Sequence, residues 1–141
     1  MRDKIQETFS QFTAAVKETL TDLSDSAKEK SKAVIDDWLN VFPQLEGMGL
    51  EMTSFGMALA ISPSMDVEFK GSGSDFDEEA LDRLKEEHKG NSHVLNVLRV
   101  IRLTRKMHLK MGKDASQEMY VKIRVRVPPE IRVYYGQPVI L

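Results

Sequence analysis

The sequence predicts an α+β fold in which two β-hairpins form a four-stranded, mainly antiparallel sheet covered by helices, with a long N-terminal amphipathic helix ahead of it. Three features predict this. Apolar residues recur at helical spacing from residue 4 to 42, strict alternation occurs twice on either side of a proline-containing turn, and the remaining helical sequence sits between the two alternating regions. Helices followed by whole hairpins, rather than by single strands, argue against a parallel doubly wound sheet.

The first helical stretch carries Ile5, Phe9, Phe12, Val16, Leu20, Leu23, Ala27, Val34 and Trp38, mostly three or four apart. Its stripe thins between Ser24 and Ser31, where Ser24 or Ser26 could cap a second helical segment, and Pro43 is expected to end the helix. Residues 1–42 thus read as an N-terminal amphipathic segment, and residues 43–141 as an α+β domain built from hairpins 50–70 and 118–136 joined by helices 75–89 and 92–111.

In the first hairpin Phe55, Met57, Leu59 and Ile61 share one face, while Leu50 and Met52 fall in the opposite phase, so a bulge or kink is expected near Ser54 or Gly56. After Pro63 the alternation resumes as Met65, Val67 and Phe69, opposed by Asp66, Glu68 and Lys70. Gly71-Ser72-Gly73-Ser74 reads as a flexible linker into an acidic helix whose apolar side is Ala80, Leu81 and Leu84. Ser92 is placed to cap the next helix, where Val94, Leu95, Val97, Leu98, Val100, Ile101 and Leu103 predict burial over a wide arc. Met119, Val121, Ile123, Val125 and Val127 then alternate with basic residues, and Ile131, Val133 and Tyr135 follow the Pro128-Pro129 turn. Superposing Pro63 on Pro129 aligns the two hairpins at an offset of 66 positions throughout, as two copies of a helix–hairpin unit would.

The 141 residues are 41% hydrophobic and 30% charged, enough for one compact core. With no cysteine, disulfide frameworks, thiolate nucleophiles and Cys-ligated metal sites are excluded. The N-terminus mixes charges without the apolar run of a signal peptide, and a cytoplasmic location is expected. The net charge of −2 conceals a division. Residues 1–91 carry 10 Lys and Arg against 19 Asp and Glu, whereas residues 92–141 carry 10 against 3. Such a split implies either internal matching of opposite charges or a basic face offered to an anionic partner.

On the sheet's polar side Asp66 and Glu68 would lie across from Lys122, Arg124, Arg126 and Arg132, two acids against four bases, with the acidic helix available to supply more. As an anion-binding surface the same region would use Arg99, Arg102, Arg105, Lys122, Arg124, Arg126 and Arg132. Asp75, Asp77 and Glu79 fail the spacing of a calcium loop, and the Gly-Ser segment lacks the lysine of a phosphate loop. His88, His93 and His108 show no metal-ligand spacing, and no nucleophile signature is present. No catalytic residue, metal or cofactor is therefore nominated.

These observations point to a non-enzymatic binding or assembly module, forming a homo-oligomer or engaging a protein partner through its N-terminal helix and sheet edge. Phe9, Phe12, Val16, Leu20, Leu23 and Trp38 are the partner-binding candidates. Two alternatives stay open. One is a carrier of a hydrophobic ligand or lipid, with membrane-surface contact, using Met52, Phe55, Met57, Met65, Met107, Met111 and Met119. The other is binding of an anionic polymer such as nucleic acid by the basic half, which the overall acidic charge disfavours.

Overall fold

The computed structural model describes residues 25–59 and 62–138, with side chains from residue 32 onward. Its elements are helix α1 (Asp25–Gly47), strands β1 (Glu51–Leu59) and β2 (Pro63–Ser72), a 3-10 turn (Gly73–Phe76), helices α2 (Glu78–Glu87) and α3 (Ser92–Lys110), and strands β3 (Glu118–Val125) and β4 (Glu130–Tyr135). The fold is α+β, and the sheet is antiparallel throughout in the order β1-β2-β3-β4.

The period-two pattern sets the sheet's two faces. Met65, Val67 and Phe69 of β2 and Met119, Val121, Ile123 and Val125 of β3 are buried on the helical side, while Asp66, Glu68, Lys122 and Arg124 look the other way. The expected irregularity in β1 is present: its register against β2 shifts between Met52 and Ser54. Equivalent positions of the two hairpins share a face, yet not an environment, since Ile123 is buried and its counterpart Met57 is 39% exposed.

Helix α1 does not stop at Pro43. It continues to Gly47, so the boundary drawn between residues 42 and 43 falls inside a helix that belongs to the core. Proline there removes the amide that would bond the Leu39 carbonyl. Burial outweighs that loss, because Val41, Phe42 and Leu45 on both sides of it are all sealed in the core, each apolar side chain contributing ~1.5 to 3 kcal/mol. The Phe42 ring lies 5.7 Å from that of Phe69, which ties the helix to the middle of β2.

The caps differ by a residue or two from expectation. Asp77 caps α2, its side chain accepting from the Ala80 amide at 2.8 Å, and Asn91 rather than Ser92 caps α3, accepting from the Val94 amide at 3.2 Å. Substituting Asp77→Ala is expected to cost about 1 kcal/mol, measured as a lower midpoint in urea unfolding with an unchanged slope.

Two further corrections bear on the surface. The Gly-Ser segment is no flexible linker: Gly71 and Ser72 complete β2, and Gly73 donates to the Gln117 carbonyl at 2.9 Å in a packed junction. Nor is α3 buried along its length. Val94, Val97, Leu98 and Ile101 enter the core, but Leu103 is 60% exposed, because it projects from the opposite side of the helix, away from the sheet.

Candidate functional site

The face of the sheet turned away from the helices is a lattice of charges set by strand register. Asp66 lies opposite Arg124, and the guanidinium Nε donates to its carboxylate at 2.8 Å. Glu68 lies opposite Lys122, with 3.6 Å between charged atoms, and also accepts from the Thr53 hydroxyl at 2.9 Å. Glu130 accepts from Arg126 at 3.1 Å and from Arg132. Lys70 reaches Glu118 at 3.0 Å, and the Lys122 ammonium sits 5.6 Å from the centre of the Tyr134 ring.

These pairings displace the proton equilibria in matched directions. The Arg132 hydrogen bond holds the Glu130 carboxyl below its ordinary value, Lys70 does the same for Glu118, and Asp66 raises the Arg124 guanidinium. For acids lowered in the folded state, the associated stability is present above the ordinary carboxylate range and fades as pH falls through the folded values. Each pair is exposed, so each contributes little by itself.

Six of the ten bases of the C-terminal half are therefore matched within the chain. Of the seven anion-binding candidates, Arg102 bonds Glu78 and Asp82, each at 2.7 Å, Arg105 lies 3.5 Å from Glu78, and Lys122, Arg124, Arg126 and Arg132 are paired across the sheet. Arg99 alone among them has no carboxylate partner among the described residues. The count of two acids against four bases omitted Glu130 and Glu118. Glu130 was legible in the alternation Glu130, Arg132, Tyr134, one residue past the proline turn, whereas the diagonal reach of Glu118 to Lys70 follows only from register.

A depression of about 240 Å3 lies in this face where the small residues Ser54 and Gly56 of β1 meet Asp66, Glu68, Lys122, Arg124, Glu130 and Arg132. Of the ligand-pocket candidates only Phe55 lines it. Met65 and Met119 are sealed in the core, Met52 is half-buried against it, and Met57, Met107 and Met111 are exposed, so these residues do not line one cavity. Trp38 is also in the core, 1% exposed, which leaves it without an open face. Phe9, Phe12, Val16, Leu20 and Leu23 lie outside the described residues.

The depression borders β1, and β1 is an edge strand. Comparison with family models, with characterised proteins and with solved structures found no match to this chain. From Met52 to Leu59 the strand carries no charge and no proline, and its bulge lies at the end nearest Glu51. Natural edges are usually blunted by lysine, proline, bulges or a covering element. The opposite edge, β4, is guarded in that way, by the Pro128-Pro129 turn before it, by Glu130 and Arg132 within it, and by α3 packed against it. The outer half of β1 also bares Met57 and Leu59, the latter 64% exposed, on its other face.

The histidines occupy separate structural positions. His93 packs at a tilt against Trp38 with ring centres 4.8 Å apart, His108 stacks on Tyr135 at 4.7 Å with its Nε2 3.0 Å from the Asp114 carbonyl, and His88 closes α2 by donating its amide to the Leu84 carbonyl. Among the described residues no three His, Asp or Glu side chains converge as a metal site would require, and no helix is long and apolar enough to cross a membrane.

Proposed function

We propose that this protein is a non-enzymatic assembly module that associates with a second copy of itself, or with a protein partner, by adding a strand to the outer edge of β1. The observation that carries this reading is the contrast between the two edges: among the described residues β4 is guarded and β1, from Met52 to Leu59, is not. Strand addition draws affinity from main-chain hydrogen bonds and specificity from alternate side chains. An incoming strand would set polar side chains over the depression beside Ser54 and Gly56, and apolar ones against Met57 and Leu59. β1 has that amphipathic pattern itself, which makes a second copy the simplest occupant. The apolar N-terminal stripe, Phe9 to Leu23, provides a second contact in this reading.

Sedimentation velocity of the full chain over a range of concentrations tests it. The expected result is a concentration-dependent dimer or higher assembly that Gly56→Lys reduces to monomer. A Cβ at Gly56 meets nothing within 4 Å, so that variant keeps its fold and gains an edge charge. A wild type that stays monomeric would overturn association with a second copy, and a variant that associates as strongly as the wild type would overturn the assignment to β1.

A further inference from the structure

A second surface, on the far side of α3, is independent of the β1 edge. We infer that the outer face of α3 lies on anionic phospholipid membranes, with Leu103, Met107 and Met111 entering the interface and Arg99, Lys106 and Lys110 holding the headgroups.

At a period of 3.6 residues, Leu103, Met107 and Met111 form one row and Arg99, Lys106 and Lys110 the neighbouring row, both opposite the buried Val94, Val97, Leu98 and Ile101. The apolar row is bare: Leu103, Met107 and Met111 are 60%, 53% and 66% exposed. The basic row is unmatched. Elsewhere in the C-terminal half the arginines and Lys122 are held by carboxylates, but Arg99, Lys106 and Lys110 have no ion pair among the described residues. The acidic helix α2 spends its nearest acids, Glu78 and Asp82, on Arg102 and Arg105. An apolar strip beside free cations is the composition of a helix that lies in a membrane surface, where the long stems of lysine and arginine cover apolar area while their heads stay at headgroup level.

The area on offer decides between membrane and protein. Three side chains on one convex helix provide far less than the ~800 Å2 per partner of a stable protein interface. Shallow insertion into a fluid surface needs no such area and no preformed groove, and methionine adapts to it readily. A nucleic acid would use the cations and leave the apolar row with no role. No helix among the described residues is long and apolar enough to span a bilayer, so the contact made by α3 is one of lying on the surface.

Co-sedimentation of the full-length protein with vesicles tests this directly. Vesicles of phosphatidylcholine containing roughly a third phosphatidylserine are expected to bind the protein at low salt at least about tenfold more strongly than pure phosphatidylcholine, with binding lost at high salt. The double variants Lys106→Glu/Lys110→Glu and Leu103→Ser/Met107→Ser are each expected to lower partitioning about tenfold or more, with unchanged circular dichroism, since all four positions are exposed. No binding at low salt, equal binding to neutral and anionic vesicles, or wild-type binding by both variants would overturn the inference. A loss confined to the charge-reversal variant would also overturn it, because it would identify a simple polyanion surface.

Discussion

Replacing Gly73 by alanine is expected to destabilise the domain by about 3 kcal/mol or more, a large share of the ~5 to 15 kcal/mol that a domain of this size possesses. A Cβ built on Gly73 lies 2.2 Å from the Ala115 carbonyl oxygen and 2.6 Å from that of Gln117. Both are backbone atoms, so no side chain can swing away to make room. Accommodation requires the loop before β3 to retreat, which breaks the hydrogen bond from the Gly73 amide to Gln117 and strains the start of the β2–β3 ladder at Ser72 and Glu118. The same loop positions Asp114, whose carboxylate accepts from the amide and hydroxyl of Ser116, and whose carbonyl meets His108. Urea unfolding followed by circular dichroism is the measurement. A midpoint within error of the wild type would show that the close approach does not exist in solution. Gly56→Ala, where a Cβ meets open space, is the control and is expected to shift the midpoint little.

The second large effect concerns Trp38. Trp38→Ala is expected to cost about 3 to 5 kcal/mol, because the indole is 1% exposed and packs between two helices in the core. Its ring is 6.4 Å from Phe42 on the same helix and 4.8 Å from His93 at the start of α3, so truncation opens a cavity between α1 and α3 that neither backbone can close alone. Trp38→Phe is expected to cost under about 1.5 kcal/mol. The indole N–H is buried and has no hydrogen-bond partner among the described residues, so phenylalanine removes none of the described bonds and most of the ring contact survives. Equal costs for the two variants would contradict this, since they would mean that the N–H and not the packed ring matters. Trp38 is the chain's single tryptophan, so far-ultraviolet circular dichroism rather than fluorescence must report the unfolding.

Several parts of this architecture were legible in local pattern. Period-two alternation placed Met65, Val67 and Phe69 on the covered face and Asp66 and Glu68 on the open one, and the phase change between Met52 and Phe55 located the β1 bulge. The opposition of Asp66 and Glu68 to Arg124 and Lys122 was likewise readable, since two adjacent antiparallel strands with those residues on one face bring them together. The depression at Ser54 and Gly56 is what the small side chains of β1 leave on that face.

What the sequence determined by itself about this protein is its α+β class, the two faces of each strand and the complementary charges they carry, because these depend on neighbours two to four residues away along one chain. Only the tertiary structure decided the rest. It made β1 an edge through the strand order, since alternation states which way a side chain points and not whether a strand has a neighbour. It carried α1 through Pro43, where core contacts of Phe42 and Leu45 outweigh a missing hydrogen bond. It turned Gly73 from a presumed linker into a junction, because the carbonyls that crowd it come from residues about forty positions later. It left Leu103, Met107 and Met111 in solvent, because they lie on the side of α3 away from the buried Val94, Val97 and Ile101. Burial is a property of what lies across the interface, and among the described residues nothing lies across from the outer side of α3.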